Sequence, residues 1–217
     1  MVYKLQYGVN DLMGMPTDDI MAEMLEITEV PAVYLLPTET LSDFYPQLRT
    51  YISKDINSSN CGFSETSAQK QREGVRAILH LLLRPVAIQS PDRELEFTVS
   101  ASGKPIFATQ TKTGEIAFSV SHARNFSCLA VAKGSSLGID IEAIRNIRSP
   151  LEIACYAFSR DEYEWLQTID PDRLDRIFLR LWTRKEAVIK YYGATVAHDM
   201  ARFSVPLAEG IGSWPLY

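Results

Sequence analysis

The chain has 217 residues, a formal net charge of -5 at pH 7, and a composition that is 46% hydrophobic and 23% charged. This length suits one large domain or two small ones, and the composition excludes an intrinsically disordered or fibrous protein. The negative charge argues against a general nucleic-acid-binding protein, which needs a clustered excess of Lys and Arg. We therefore expect a folded protein in which any anion site is local.

Cysteine usage and hydropathy indicate a cytoplasmic protein without membrane segments. The three cysteines are far apart and show neither a CxxC pair nor metal-ligand spacing. Residues 1–10 lack the apolar core and the cleavage site of a secretion signal. The longest apolar runs, such as Ile78–Leu83, are much shorter than the roughly 20 residues of a transmembrane helix.

The N-terminal half is predicted to contain one strand and one long helix in an α+β region. Ala32–Leu36 is a β-favouring apolar run closed by Pro37, which is typical of a strand. A helix is expected to begin at Ser64 or Thr66. It should end near Leu83, because the proline that follows cannot continue it.

The middle of the chain changes to period-two patterning, which predicts a run of antiparallel strands. Turn-forming sequences separate these strands. The expected strands are Leu95–Val99, Glu115–Ser121, Ser127–Lys133 and Leu137–Glu142.

The C-terminal region is predicted to return to helix. Ser159 and Glu162 have the spacing of a capping box, which places a helix start at Ser159. A second helix is expected to begin at Asp170, where a proline follows, and to end before Gly193. Phe203–Val205 is predicted to be the last strand.

Two carboxylates in the predicted strand Leu137–Glu142 are candidate metal ligands. Asp140 and Glu142 alternate with isoleucines, so on a strand they share one face while the isoleucines point into the core. Mg²⁺ typically takes one or two carboxylates together with substrate phosphates. Taken alone, a half-exposed strand with its polar residues toward solvent explains the pattern better.

The predicted helix over residues 176–192 carries charges on its apolar face. Lys185 and Glu186 follow Trp182 by three and four residues and therefore lie on that face. An exposed pair of Glu186 with Lys190 is the ordinary explanation. Charges on a packing face are costly unless they are paired or bound to an ion, which favours a cleft that holds metal and phosphate.

Other candidate residues have ordinary structural explanations when each is taken alone. His122 at a strand end is more often structural than a ligand, although Ser121 beside it could join it in a phosphate contact. Gly103–Pro105 would be a turn with a solvated Lys. Glu162 is explained by capping, and Arg76 by an exposed helix position that shares a face with a second arginine.

Taken together and in order, five motifs resemble those of the 4′-phosphopantetheinyl transferases, in particular the larger, surfactin-synthetase-activating type. Each motif alone is weak, but five in order across about half of the chain are specific. The motifs are GKP at 103–105, FSVSHA at 118–123, LGIDIE at 137–142, FSRDEY at 158–163 and WTRKEAVIK at 182–190.

The resemblance implies an α+β pseudo-dimer of two similar halves with the active site in the cleft between them. Residues 1–110 would form the N-terminal half, and residues 111–217 the C-terminal half with most of the metal and catalytic motifs. Relatives normally continue with more strands beyond the position of Val205, so the second half could lack terminal strands.

The resemblance also implies an activity. The protein would move the 4′-phosphopantetheine arm of coenzyme A to a serine of an apo acyl or peptidyl carrier protein and release 3′,5′-ADP. It would be a Mg²⁺-dependent monomer that serves fatty acid, polyketide or nonribosomal peptide biosynthesis, without nucleic-acid or membrane partners. The alternative is a catalytically silent coenzyme A or carrier-protein binding module, which the intact motifs make less favourable.

By the same resemblance, Asp140, Glu142 and Glu186 would hold Mg²⁺ against the coenzyme A pyrophosphate. Lys190 and Lys185 would neutralise that pyrophosphate, and Lys190 would also act in catalysis. The general base for the acceptor serine would be Glu162.

The remainder of coenzyme A is assigned to residues from the first half and the middle of the chain. Relatives have further basic residues upstream of the helix that carries Arg76, and these help to bind the 3′-phosphate. Residues 57–67 of this chain contain none, and Arg49 or Lys54 could substitute. The resemblance assigns the 3′-phosphate to Arg76, Ser121 and His122, and the adenine to Gly103, Lys104 and Pro105.

Overall fold

The computed structural model describes residues 4–5, 31–48, 66–84, 95, 97–99, 104–108, 111, 114–134, 136–193 and 200–207. These residues form a mixed α+β fold, which confirms the predicted class. No helix among them is both long and apolar enough to cross a lipid bilayer.

The described strands form two sheets. The strands are β1 (Lys4–Leu5), β2 (Ala32–Pro37), β3 (Phe97–Val99), β4 (Pro105–Phe107), β5 (Ile116–His122) and β6 (Phe126–Lys133). Strands β1, β2, β6 and β5 lie in that order in one sheet, and β3 pairs with β4 in the other. Of the four described strand pairs, β1–β2 is parallel and the other three are antiparallel. The predicted strands in β2, β5 and β6 are confirmed, and β3 lies within the predicted strand Leu95–Val99.

The helices lie in two groups along the chain. They are α1 (Thr38–Asp43), α2 (Tyr45–Leu48), α3 (Ser67–Leu83), α4 (Pro150–Ala157), α5 (Arg160–Leu166) and α6 (Pro171–Tyr192), and a short 3₁₀ turn follows at Met200–Arg202. Helix α3 is the predicted long helix, and its N-cap is Thr66, whose hydroxyl accepts a hydrogen bond from the Gln69 N–H at 3.2 Å. Helices α1, α2 and α4 were not predicted from the sequence.

The local signals for the C-terminal helices are confirmed. Ser159 and Glu162 form both hydrogen bonds of a capping box at the start of α5. Helix α6 has Asp170 at its N-cap and ends at Gly193, which has φ of 73°. Glycine is favoured there because other residues are strained in the left-handed region.

Two predicted strands are wrong. Leu137–Glu142 and Phe203–Val205 pair with no strand among the described residues. In the first segment the Ile139 N–H donates to the Ser119 hydroxyl at 3.1 Å, so a side chain takes the place of a ladder partner. Both isoleucines of that segment are half-buried and not in the core. In the second segment, Glu162 of α5 and Lys185 of α6 form hydrogen bonds with the backbone of Val205 and Phe203.

Buried apolar side chains form two clusters. The first packs α3 against the four-stranded sheet, and the second packs α4, α5 and α6 against residues 200–207. In the second cluster the ring of Phe178 stacks on Phe158 and Trp182 with centroids 5.1 and 5.9 Å apart. The division into similar halves at residue 110 stays a prediction.

His80 is a buried titratable residue on the core side of α3. Its ring centroid lies 5.1 Å from that of Phe97, and its Nε2 has no hydrogen-bond partner among the residues that the structure describes. Burial, and to a smaller degree the charges of Arg76 and Arg84, lower the pKa of His80 to about 4. The ring is therefore buried in its neutral form at pH 7.

We expect His80 to make the fold less stable as the pH falls from about 6.5 to about 4. An unfolded histidine titrates near 6.5, so the unfolded state binds more protons over this interval and the free energy of unfolding falls. The loss is up to about 3 kcal/mol. Urea unfolding at several pH values should show a weaker pH dependence for His80→Leu, whereas the matched control His122→Asn should keep the His80 contribution. An unchanged pH dependence in His80→Leu would contradict this prediction.

Candidate active site

Three separate parts of the chain meet at Asp140. Its side chain is 7% exposed, and Oδ1 accepts hydrogen bonds from the Ser121 hydroxyl at 2.6 Å and from Lys190 Nζ at 2.7 Å. Ser121 comes from the end of β5 and Lys190 from α6. The structure therefore brings together three predicted site residues that are separated by up to 69 positions in sequence.

The segment that carries Asp140 is fixed directly against α6. A Cβ atom built on Gly138 would lie 2.0 Å from the Ala187 carbonyl oxygen and 2.6 Å from the Tyr191 amide nitrogen. Only a glycine allows this approach, because both neighbouring atoms belong to the helix backbone. The close packing positions Asp140 opposite Lys190.

Lys104 lies at the same junction. Its Nζ donates to the Leu137 carbonyl at 2.7 Å and to the Tyr191 carbonyl at 3.2 Å, and burial lowers its pKa. The expectation of a solvated lysine in a turn is therefore wrong. Pro105 begins β4, while Gly103 lies outside the described residues. The assignment of this motif to adenine stays a prediction.

Negative charge accumulates around Asp140. Burial is the main reason that the pKa of Glu186 is raised, and the charges of Asp140 and Glu142 add to the effect, whereas Lys190 opposes it. The Glu186 carboxylate thus lies near two other carboxylates, and Lys190 neutralises their combined negative charge only in part.

These carboxylates fit the chemistry of a hard divalent cation. In the part of the chain that the structure describes, no three His, Cys, Asp or Glu side chains form a ready-made metal cluster. Mg²⁺ does not require one, because it commonly binds one or two carboxylates, waters and substrate phosphates. The residues present, Asp140, Glu142 and Glu186, are compatible with that mode of binding.

His122 directly follows Ser121, whose hydroxyl bonds to Asp140, and the charges of two cationic side chains act on it. Its Nδ1 is 2.9 Å from the Ser127 hydroxyl, with donor and acceptor set by the tautomer. Burial lowers the pKa of His122, and the charges of Arg72 and Lys190 lower it further. A position near two cations favours a bound anion, which in turn would stabilise the protonated ring.

Arg72 is a basic residue near His122 that the motif-based assignment of the 3′-phosphate leaves out. It is the arginine whose charge acts on His122, whereas the charge of Arg76 acts on His80. Both arginines line one cavity of about 410 Å³ along the N-terminal half of α3, together with Thr66 and Gln69. Their four-residue spacing was a usable signal, since it puts both on one helix face.

Glu162 and Lys185 form a separate buried ion pair. Neither side chain has exposed surface, and Lys185 Nζ lies 2.6 Å from Glu162 Oε2. Burial lowers the pKa of Lys185, and the bond to Glu162 opposes that shift. The polar contacts of Lys185 are with Glu162 and Phe203 and not with Ser121, Asp140 or Lys190. The assignment of Lys185 to the pyrophosphate stays a prediction.

Comparisons with known proteins find the same family that the motifs resemble. Residues 136–214 match the model of the 4′-phosphopantetheinyl transferase superfamily. The chain is similar to the 4′-phosphopantetheinyl transferase HetI of Nostoc sp., with 32% identity over 48% of this chain and 44% of HetI. It is also similar to the 4′-phosphopantetheinyl transferase psf-1 of Bacillus pumilus, with 31% identity over 65% of this chain and 58% of psf-1.

A third similar protein is the 4′-phosphopantetheinyl transferase AcpT of Escherichia coli, with 32% identity over 55% of this chain and 56% of AcpT. These matches confirm the family resemblance. The chain spans about half the length of these phosphopantetheinyl transferases. The part matched by the superfamily model contains Asp140, Glu142, Glu162, Glu186 and Lys190.

Proposed function

We propose that this protein is a 4′-phosphopantetheinyl transferase, which moves the 4′-phosphopantetheine arm of coenzyme A to a serine of an apo acyl or peptidyl carrier protein. The observation that carries the proposal is the convergence of Ser121, Asp140 and Lys190, with Glu186 nearby. Carboxylates beside an ammonium group suit a pyrophosphate that is bound with a divalent cation.

The proposed metal ligands are Asp140, Glu142 and Glu186. Mg²⁺ bound there would neutralise charge on the coenzyme A pyrophosphate during the transfer. Support for this assignment comes from the raised pKa of Glu186, which reflects burial beside the other two carboxylates.

Lys190 is proposed to act on the same phosphates. Its side chain is 29% exposed, so the ammonium group can bond to Asp140 and still face a ligand. Negative charge grows on the leaving 3′,5′-ADP as the bond to the β-phosphate breaks. A fixed ammonium group at that position favours the transition state.

The 3′-phosphate of coenzyme A is proposed to bind near His122, with Ser121, Arg76 and Arg72 as further residues of the site. Adenine contacts by Gly103, Lys104 and Pro105 remain part of the proposal on the strength of the resemblance. The assignment of Glu162 as the general base also stays a prediction, although its burial in an ion pair with Lys185 disfavours direct contact with a substrate.

The broader setting is proposed from the same resemblance. It comprises a monomeric, cytoplasmic protein built as a pseudo-dimer of two α+β halves, with coenzyme A and a carrier protein as partners. The free thiols of Cys128 and Cys155 are compatible with a reducing compartment.

The transfer itself is tested by incubating the chain with coenzyme A, Mg²⁺ and an apo carrier protein. Intact-mass measurement should show the carrier gain one phosphopantetheine group, and EDTA should suppress the gain. Binding of coenzyme A or carrier without any mass change would support the silent binding module instead. The absence of both binding and transfer would contradict each of these proposals.

A finer prediction concerns the 3′-phosphate. His122→Ala, Arg72→Ala and Arg76→Ala should each weaken coenzyme A binding by roughly 1.5–3 kcal/mol, the range for hydrogen bonds to charged groups. Dephospho-coenzyme A lacks that phosphate, so its binding should change much less. Calorimetry with both ligands measures the difference.

The matched control is Arg160→Ala, because Arg160 is an exposed arginine on α5 with a side chain that is 87% exposed. Its removal should leave both affinities unchanged. Equal losses for the two ligands in the three test variants would refute the 3′-phosphate assignment and leave His122 with a structural role.

A further inference from the structure

The buried pair Glu162–Lys185 joins three elements of the C-terminal region. Glu162 lies in the first turn of α5, where its Oε2 accepts the Ser159 N–H at 2.9 Å and the Lys185 ammonium. Its Oε1 accepts the Val205 N–H at 2.7 Å. Both carboxylate oxygens are thus occupied, and the side chain has no exposed surface.

Lys185 closes the same connection from α6. Its ammonium group also donates to the Phe203 carbonyl and lies 4.4 Å from the centroid of the Phe203 ring. A second ring, that of Phe158, has its centroid 5.7 Å from the ammonium group. The cation is therefore enclosed by one carboxylate, one carbonyl and two aromatic faces.

Residues 203–206, here called the strap, are held by successive polar contacts. Besides the two contacts already given, the Ser204 hydroxyl lies 2.8 Å from the Ser159 hydroxyl, and Arg184 Nη1 donates to the Pro206 carbonyl at 2.5 Å. The strap thus depends on side chains of α5 and α6 and not on a sheet.

We propose that Glu162 and Lys185 are positioning residues that set the rotation of α6, so that Glu186 and Lys190 face Asp140. The proposal rests on the transferase function proposed above. Breaking a buried ion pair leaves an uncompensated charge, so α6 cannot turn or slide without a large penalty. Lys185 directly precedes Glu186 and lies five residues before Lys190 on the same rigid helix. The orientation of the pair is therefore transmitted to the site.

This role differs from that of a general base. A base needs an oxygen within hydrogen-bond reach of the acceptor serine, directly or through one water. Here one oxygen is taken by Val205 and the other by Ser159 and Lys185, in a position without solvent access.

A double-mutant cycle separates the two roles. The variants are Glu162→Gln, Lys185→Met and the combination of both, in which no buried charge is left unpaired and methionine can pack between the two rings. Each single variant should lower kcat at least about tenfold, because α6 loses its fixed orientation. The double variant should recover to within about threefold of the starting protein, since the neutral side chains at both positions still pack α5, α6 and the strap together and no uncompensated charge is left.

Two readouts do not depend on turnover. Mn²⁺ binding, followed by electron paramagnetic resonance without coenzyme A, should weaken in both single variants and recover in the double variant. Amide hydrogen exchange in the strap and in residues 182–190 should become faster in both single variants and return toward the starting rate in the double variant. The matched control is Glu164→Gln on the same helix, where the partner pair is exposed, and it should leave all three readouts unchanged.

The outcomes distinguish the possibilities. If Glu162 is the base, Glu162→Gln and the double variant will be equally inactive while Lys185→Met retains activity, which overturns the proposal. If the pair is only structural, melting temperatures will fall while turnover and Mn²⁺ binding per folded molecule stay normal, which also overturns it. If a single variant does not fold, the double variant decides: a folded, active double variant supports the proposal, and a folded, inactive one contradicts it. If the starting protein transfers nothing, the proposed function fails, and hydrogen exchange alone tests the coupling of the pair to α6.

Discussion

Asp140→Ala should lower carrier-protein modification by at least ~10²-fold, the loss seen when one transition-state stabiliser is removed elsewhere. Asp140 is the point at which the Ser121 hydroxyl and the Lys190 ammonium converge, and it is also a proposed metal ligand. Its removal therefore disturbs the cation site and the lysine together. Intact-mass kinetics at several Mg²⁺ concentrations would measure the loss.

The same variant should remain folded. The side chain of Lys190 is 29% exposed and can reach solvent when its partner is lost, so little stability depends on this pair. Asp172→Ala, at an exposed position in the first turn of α6, is the matched control and should keep full activity. Near-normal turnover in folded Asp140→Ala would contradict the assignment of Asp140 as a metal ligand.

Gly138→Ala is expected to have an effect of similar size through packing alone. The new methyl group would lie 2.0 Å from the Ala187 carbonyl oxygen and 2.6 Å from the Tyr191 amide nitrogen. Neither atom can move without displacing α6, so the segment that carries Asp140 has to shift instead. A shift of about 1 Å at a reacting centre can cost ~10²-fold in rate.

Overpacking of this kind should also lower the free energy of unfolding by roughly 1–3 kcal/mol. Thermal unfolding and intact-mass kinetics on the same preparation would report both losses. Ser136→Ala, two residues earlier at an exposed position, is the matched control. A Gly138→Ala variant with the stability and turnover of the starting protein would show that the segment does not pack on α6 as described.

The elements that could be predicted from the sequence are those with local causes. The cap at Thr66, the capping box at Ser159 and the left-handed Gly193 act within one helical turn, so they are visible in a few consecutive residues. Period-two alternation likewise reflects the geometry of a strand and located β5 and β6. The short apolar helix α4 has no comparable signal beyond its first-turn proline.

The two wrong strands show where local patterns are insufficient. Residues 137–142 alternate as a strand does, but their backbone bonds to the Ser119 hydroxyl and to Lys104, which lie far away in sequence. The strap is likewise held by Glu162 and Lys185. Long-range side-chain contacts replace the ladder in both places, and no local pattern encodes them.

The candidate site divides in the same way. The sequence by itself determined the bounds of α3 and α6, the start of α5, the shared face of Arg72 and Arg76, and the motif set that resembles the 4′-phosphopantetheinyl transferases. Each of these depends on residue types at short spacing. Only the tertiary structure decided that Ser121, Lys190 and Asp140 meet, that Arg72 acts on His122, and that Glu162 is sealed against Lys185. These relations depend on how distant segments pack, and packing is set by the burial of whole clusters and not by neighbouring residues in the chain.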